Sequence, residues 1–166
     1  MTTTTDSTDL ARDLGQKLLG RGWMLVCAES CTGGLLSGAV TDIPGSSQWF
    51  ERGFITYSNA AKVEHLRVSP DTLERFGAVS EETAMEMAAG ALGAAASANL
   101  SIAVTGIAGP DGASPGKPVG MVCFGFSRQA GDGVVTRAAT RLFEGDRRQV
   151  REAAVRFALQ TAAELL

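Results

Sequence analysis

Helix and strand signals alternate along the first hundred residues of this chain, and then the alternation stops. Leu10, Leu14 and Leu18 recur at i, i+4 and i+8, which predicts a helix opened by Ser7 or Thr8 and closed by Gly20 or Gly22. An apolar run, Trp23 to Ala28, predicts a buried strand; Gly33 to Thr41 reads as helix, Ile43 to Ser47 as loop, and Phe50 to Tyr57 as a second strand. Three helices follow: one capped by Ser58 and running through Leu66, one from Ser69-Pro70-Asp71 to Gly77, and one from Ser80-Glu81-Glu82 to about Ser97. From Ser101 onward the strands crowd together. Ser101 to Thr105, Pro118 to Ser127 and Val134 to Phe143 are strands, Arg128 to Gly133 is a turn, and a last helix is capped by Asp146 with Gln149 in capping-box position. Strands separated by helices demand parallel crossovers, and a short connection demands an antiparallel pair. The pattern predicts a three-layer α/β/α sandwich with a mixed, mostly parallel sheet of about five strands. It forms one domain over residues 10–166, preceded by a polar, Thr-rich disordered tail over residues 1–9.

Composition narrows the function. Hydrophobic residues make up 45% and charged residues 20% of 166, ordinary globular usage that argues against wholesale disorder. A net charge of −3 gives no electrostatic footprint for nucleic acid, although Arg147, Arg148, Arg151 and Arg156 form a local basic cluster. No run approaches the roughly 18 apolar residues of a membrane span, and the N-terminus lacks the apolar core of a signal peptide. Cys27, Cys31 and Cys123 show no metal-ligand spacing and His65 is the only histidine, so no metal site and no cofactor are expected, and a reducing cytoplasm is the expected setting.

Three stretches, each at the end of a predicted strand, carry groups able to do chemistry: Ala28 to Gly34, Tyr57 to Lys62, and Thr105 to Gly112. In open α/β sheets ligands bind outside that edge. Ser30 sits between a strand and a helix, beside Gly33-Gly34, where backbone N–H groups at a helix start can receive an oxyanion. The same position suits Ser30 or Thr32 as a helix cap. Cys31 is a rival nucleophile, because a helix N-terminus lowers a thiol pKa. Lys62 is either a surface lysine or, if desolvated, a base able to lose its proton near neutrality. Tyr57, the only tyrosine, ends an apolar strand. The glycine-rich Thr105–Gly112 loop matches no standard nucleotide fingerprint and suits a tight turn or a ligand equally. Arg147, opening the last helix, suits phosphate or a solvated basic face.

Ala28-Glu29-Ser30-Cys31-Thr32-Gly33-Gly34, Pro44-Gly45-Ser46-Ser47, Gly53 to Lys62, Gly77-Ala78-Val79-Ser80 and Thr105 to Gly112 occur in that order, and this series resembles the CinA C-terminal domain family over roughly Leu10 to Gln160. The family includes stand-alone nicotinamide-nucleotide amidohydrolases. The resemblance implies hydrolysis of the carboxamide of nicotinamide mononucleotide to nicotinate mononucleotide and ammonia. By the same likeness Ser30 is the nucleophile, Lys62 its base and Tyr57 an assisting hydroxyl. Cys31, Thr32, Gly33, Gly34, Thr105 and Gly106 would line the site and Arg147 would contact substrate. The alternative is a module that binds a pyridine nucleotide without cleaving it. A homo-oligomer, with a dimer favoured, is expected from the alanine- and glycine-rich helix at Ala84 to Ala98, whose small residues suit close packing against a neighbour.

Overall fold

A computed structural model describes residues 5–166. The chain runs α1 (Ser7–Arg21), β1 (Leu25–Glu29), α2 (Leu35–Thr41), a 3₁₀ turn (Ser46–Gln48), β2 (Phe50–Ile55), α3 (Asn59–Leu66), α4 (Pro70–Phe76), α5 (Glu81–Ala94), β3 (Leu100–Gly106), β4 (Met121–Ala130), β5 (Gly133–Leu142) and α6 (Arg147–Glu164). The sheet order is β2-β1-β3-β4-β5. β1 pairs in parallel with both β2 and β3, while β4 runs antiparallel to β3 and to β5. Four strands therefore point one way and β4 alone opposes them, although parallel and antiparallel pairings are equal in number.

Alternation along the strands sorts the core into two layers. Leu25 and Cys27 of β1, Ile102 and Val104 of β3, and Phe124 of β4 face α1, α2 and α6. Val26 and Ala28 of β1 and Ala103 of β3 face α3 and α5. This is the period of two that a strand buried on both faces requires. α6 is seated by Phe157, whose ring centroid lies 4.5 Å from that of Phe124, and by buried Val150, Ala154 and Ala158. Its start is fixed by a full capping box: Asp146 accepts from the Gln149 N–H at 2.9 Å and the Gln149 side chain accepts from the Asp146 N–H at 2.8 Å.

Several boundaries differ from the sequence reading, each for a local reason. Residues 1–4 of the expected tail lie outside the described residues, and Ser7, Thr8 and Asp9 already belong to α1, whose N-cap is Asp6. β1 starts at Leu25, two residues after the apolar run begins. α2 starts at Leu35, because Gly33 and Gly34 take left-handed φ values of 54° and 109°. α5 stops at Ala94 rather than near Ser97. β4 extends to Ala130, leaving only Gly131 and Asp132 between the hairpin strands. Several small residues of α5 and of the strand beneath it are used within the chain. A Cβ at Gly90 would strike the Leu66 carbonyl of α3, and one at Gly125 of β4 would strike the Ala84 carbonyl of α5. They let α5 lie close on the sheet and on α3, while Ala89, Gly93 and Ala94 stay exposed on its outer side.

Candidate active site

β1 is the point where the chain order reverses: the connection through α2 leaves to one side of it and the one through α3 to α5 crosses to the other. Such a switch point opens a crevice at the strand C-termini. A cavity of about 310 Å³ lies there. Ser30 and Cys31 reach it from the end of β1, Tyr57 from beyond β2, Lys62 from α3, Thr105 and Gly106 from the end of β3, and Arg147 from α6. Ala78, Val79, Ile107, Ala108, Asp111 and Gly112 complete the wall.

The floor is a buried lysine against a serine. Lys62 is 1% exposed and Ser30 8%. Lys62 Nζ lies 2.9 Å from Ser30 Oγ, 2.9 Å from the Thr56 carbonyl oxygen and 3.0 Å from that of Tyr57. No carboxylate pairs with it among the described residues. Burial pulls its pKa down from 10.5 to about 8, with a small opposing pull from Cys31. A neutral amine has two N–H bonds and one lone pair. Nζ donates to all three oxygens and the Ser30 hydroxyl points to the Tyr57 carbonyl at 3.4 Å; once neutral, the amine keeps its two N–H bonds for the carbonyls and can turn its lone pair to the serine hydroxyl. A serine and a neutral lysine at this distance are able to act as nucleophile and base. α3 holds Lys62 in place: Ser58 Oγ accepts from the Ala61 N–H at 3.0 Å, as expected of its cap.

Cys31 is differently placed. Its thiol is buried and pushed up to about 11, chiefly by desolvation. The helix-end lowering expected from sequence is outweighed, so the thiol stays protonated near neutrality. His65 is exposed in the last turn of α3 and does not line the cavity.

The turn after Ser30 is tied from within by a residue to which sequence reasoning gave no role. Glu29, fully buried at the end of β1, accepts from the N–H groups of Gly34 (3.2 Å), Leu36 (2.9 Å) and Ser37 (3.0 Å), and from Ser37 Oγ (2.7 Å). The Gly33 N–H donates to the Ser30 carbonyl at 3.1 Å. The N–H groups of Gly33 and Gly34 are thus not free for an oxyanion, and Thr32, Gly33 and Gly34 do not line the cavity. Of that expected group only Cys31 does. Glu29 escaped notice because a helix cap is sought directly before the helix, whereas this one reaches forward from the preceding strand. The signal was a carboxylate closing an otherwise apolar run.

At the rim, Arg147 donates to the Gly109 carbonyl at 2.7 Å and to the Tyr57 hydroxyl at 3.3 Å. Tyr57 is 61% exposed. Its phenol meets Arg147, while its carbonyl meets Lys62. Thr105 lines the wall, but its hydroxyl is committed to the Ala78 carbonyl at 2.8 Å, which holds the Ala78–Val79 wall in place. Among the described residues no three His, Cys, Asp or Glu side chains come together as metal ligands would, and no helix is long and apolar enough to cross a membrane.

Comparison with known proteins agrees over the whole of this architecture. The nicotinamide-nucleotide amidohydrolase PncC of Enterobacter agglomerans is 56% identical over 154 residues, covering 93% of this chain and 92% of its own length. The protein of the same name from Escherichia coli (strain K12) is 51% identical over 152 residues, covering 92% of this chain and 90% of its own. Among solved structures, the competence damage-inducible protein A of Klebsiella pneumoniae superposes with a TM-score of 0.91 at 36% identity over 96% of both chains. The competence/damage inducible protein CihA of Agrobacterium tumefaciens gives 0.89 at 44% identity over 99% of both. The model of the CinA C-terminal domain matches residues 7–166, and the chain belongs to that family.

Proposed function

We propose that this chain is a nicotinamide-nucleotide amidohydrolase, which converts nicotinamide mononucleotide and water to nicotinate mononucleotide and ammonia. The observation that carries this is the buried Lys62–Ser30 pair, with both lysine N–H bonds taken up by carbonyls and no carboxylate to hold a charge. The similarity to PncC proteins supplies the substrate.

In the proposed reaction, neutral Lys62 takes the Ser30 proton as Oγ attacks the carboxamide carbon. We assign stabilisation of the developing oxyanion, the term that usually dominates such steps, to the backbone at Cys31, the one residue of the turn after Ser30 that lines the cavity. The Lys62 ammonium returns its proton to the departing ammonia, leaving an acyl-enzyme. Lys62 then accepts a proton from water as it attacks the ester, and returns that proton to Ser30 as the nicotinate product leaves. The cavity is at the lower end of the range of about 300–1,000 Å³ for small-molecule sites. Arg147, at the rim, reads the substrate phosphate. The capping box has already taken one N–H of the α6 start and placed the Asp146 carboxylate there, so the guanidinium rather than the helix end has to carry that contact.

We place the protein in the cytoplasm, because its three thiols are buried and unpaired, as a reducing compartment permits. A homodimer is part of the proposal; exposed Val134 and Leu142 on the edge strand β5 offer apolar contact surface, and light scattering tests it. For the activity, the decisive assay is purified protein with nicotinamide mononucleotide, followed by ammonia release and product mass. Ammonia with a product one mass unit heavier supports hydrolysis; binding without ammonia would leave only a nucleotide-binding module.

A further inference from the structure

The nucleophile turn is tied from two sides, and only the inner tie belongs to the turn's own strand. From outside, α6 sends Arg151 across the turn: its Nε donates to the Cys31 carbonyl at 3.0 Å and its Nη2 to the Thr32 carbonyl at 3.2 Å. The fork geometry of a guanidinium suits two consecutive carbonyls as no other side chain does. Arg151 lies one turn beyond Arg147 on the same face of α6, yet it does not line the cavity and meets no substrate group there.

Peptide groups are rigid planes, so holding an oxygen fixes the whole unit. The Ser30–Cys31 plane is held by the Gly33 N–H on the Ser30 carbonyl. The next two planes are held by Arg151. Cys31, which lines the cavity, is the joint between the first plane and the second. We propose that Arg151 is a positioning residue for the reaction: by locking the Cys31 and Thr32 carbonyls it fixes the two peptide units that follow Cys31, which together with the Gly33 N–H on the Ser30 carbonyl holds the nucleophile turn in one geometry, and its charge on the outer face of the turn favours the oxyanion. This rests on Ser30 being the nucleophile. The guanidinium belongs to α6, whose seat is the Phe124–Phe157 contact, so the turn is referenced to the rigid core rather than to its own glycines.

The test compares Arg151→Gln and Arg151→Lys with wild type, with Arg148→Gln as a charge control; Arg148 pairs with Glu152 at 2.8 Å and does not line the cavity. Preorganisation lost by a fraction of an ångström lowers kcat, here by roughly 10- to 100-fold for Arg151→Gln. KM should stay within about twofold, and the basic limb of the pH profile should not move, since Lys62 owes its low pKa to burial. Arg151→Lys, able to reach one carbonyl, should fall between. Added guanidinium should restore part of the kcat of Arg151→Ala, and Arg148→Gln should behave as wild type. Unchanged kcat in Arg151→Gln overturns the proposal, as does a rise in KM at constant kcat, which would make Arg151 a substrate contact. If Arg151→Gln does not fold, Arg151→Lys decides: wild-type kcat in that variant overturns the proposal. Ser30→Ala in the same assay keeps the two questions apart, because activity surviving there would sink the serine mechanism whatever Arg151 does.

Discussion

Two buried ionisable side chains stand on either side of Ser30, and they are treated in opposite ways. Glu29 is surrounded by donors, with three backbone N–H groups and a hydroxyl aimed at its oxygens. Lys62 is surrounded by acceptors of no net charge. A buried charge costs several kcal/mol unless it is compensated. Glu29 is compensated as an anion and does structural work, capping α2 and holding the turn. Lys62 is compensated only in part as a cation, and fully as an amine. The same burial that makes one group a fixture makes the other a base. A second contrast follows from it: the floor of the cavity is buried and held by several bonds at each atom, whereas the rim, Tyr57 and Arg147, is exposed and held by one or two.

Floor residues should therefore carry the largest effects. Ser30→Ala should reduce turnover by more than about 10⁴-fold while the variant folds and melts like wild type, because it removes one oxygen from a small cavity wall. Cys31→Ala should retain most activity, its thiol being protonated and inert. Near-normal kcat in the serine variant, read by ammonia release, would break the contrast at its strongest point.

Lys62 comes next. Activity should rise with pH through about 8 and level off, the neutral amine being the active form. Lys62→Arg should be nearly inactive at every pH, since a guanidinium keeps its proton throughout this range. Stability carries the same signature. The folded protein releases the Lys62 proton near 8 and the unfolded chain holds it until about 10.5. The unfolded state binds more protons between those values, so stability rises with pH there; below 8 the penalty for burying the cation is fully present. Relative to Lys62→Met, wild type should gain on the order of 3 kcal/mol between pH 7 and pH 11, measured by urea denaturation. A flat difference would mean that Lys62 is charged in the folded state as well.

How far this contrast was visible in the sequence differs between its halves. Strand and helix order was legible because buried strands and capped helices leave local marks: the apolar run before Ser30, Ser58 before α3, Asp146 with Gln149 before α6. The pairing of Ser30 with Lys62 was reached through family resemblance, since 32 positions separate them and a lone lysine beside a tyrosine is ordinarily a surface residue. What stayed hidden were contacts that leave no local pattern. Glu29 caps a helix from the preceding strand, Arg151 grips carbonyls from α6, and Tyr57 acts on Lys62 through its backbone. The expectation that Gly33 and Gly34 offer free N–H groups failed because the Glu29 carboxylate takes the Gly34 N–H and the Ser30 carbonyl takes that of Gly33. Composition alone did not separate the inward small residues of α5, such as Gly90 against the Leu66 carbonyl, from the outward ones, Ala89, Gly93 and Ala94.

At the rim the effects should be smaller and confined to recognition. Arg147→Ala should cost about 1.5–3 kcal/mol in kcat/KM for nicotinamide mononucleotide, the scale of a charge-assisted hydrogen bond. It should scarcely change kcat/KM for nicotinamide riboside, which has no phosphate. Equal losses on both substrates would place the phosphate elsewhere and give Arg147 a structural role through the Gly109 carbonyl.

The smallest effect separates the two halves of a single residue. Tyr57 touches the floor with its carbonyl, 3.0 Å from Lys62 Nζ, and the rim with its phenol, 3.3 Å from Arg147. If the phenol returned a proton to the leaving ammonia, Tyr57→Phe would lower kcat by the 10²-fold or more typical of general acid catalysis. The geometry gives it a weaker task. The hydroxyl accepts from Arg147 over a long, solvent-exposed contact, worth less than about 1 kcal/mol. Tyr57→Phe should lose less than about fivefold in kcat/KM, with kcat and the pH profile nearly unchanged, because the substitution leaves the carbonyl that orients Lys62 in place. Steady-state kinetics on this one variant thus tells whether the residue works through its ring or through its backbone. A large fall in kcat would move the phenol from the rim to the chemistry, and the division between a buried reacting floor and an exposed reading rim would have to be redrawn around it.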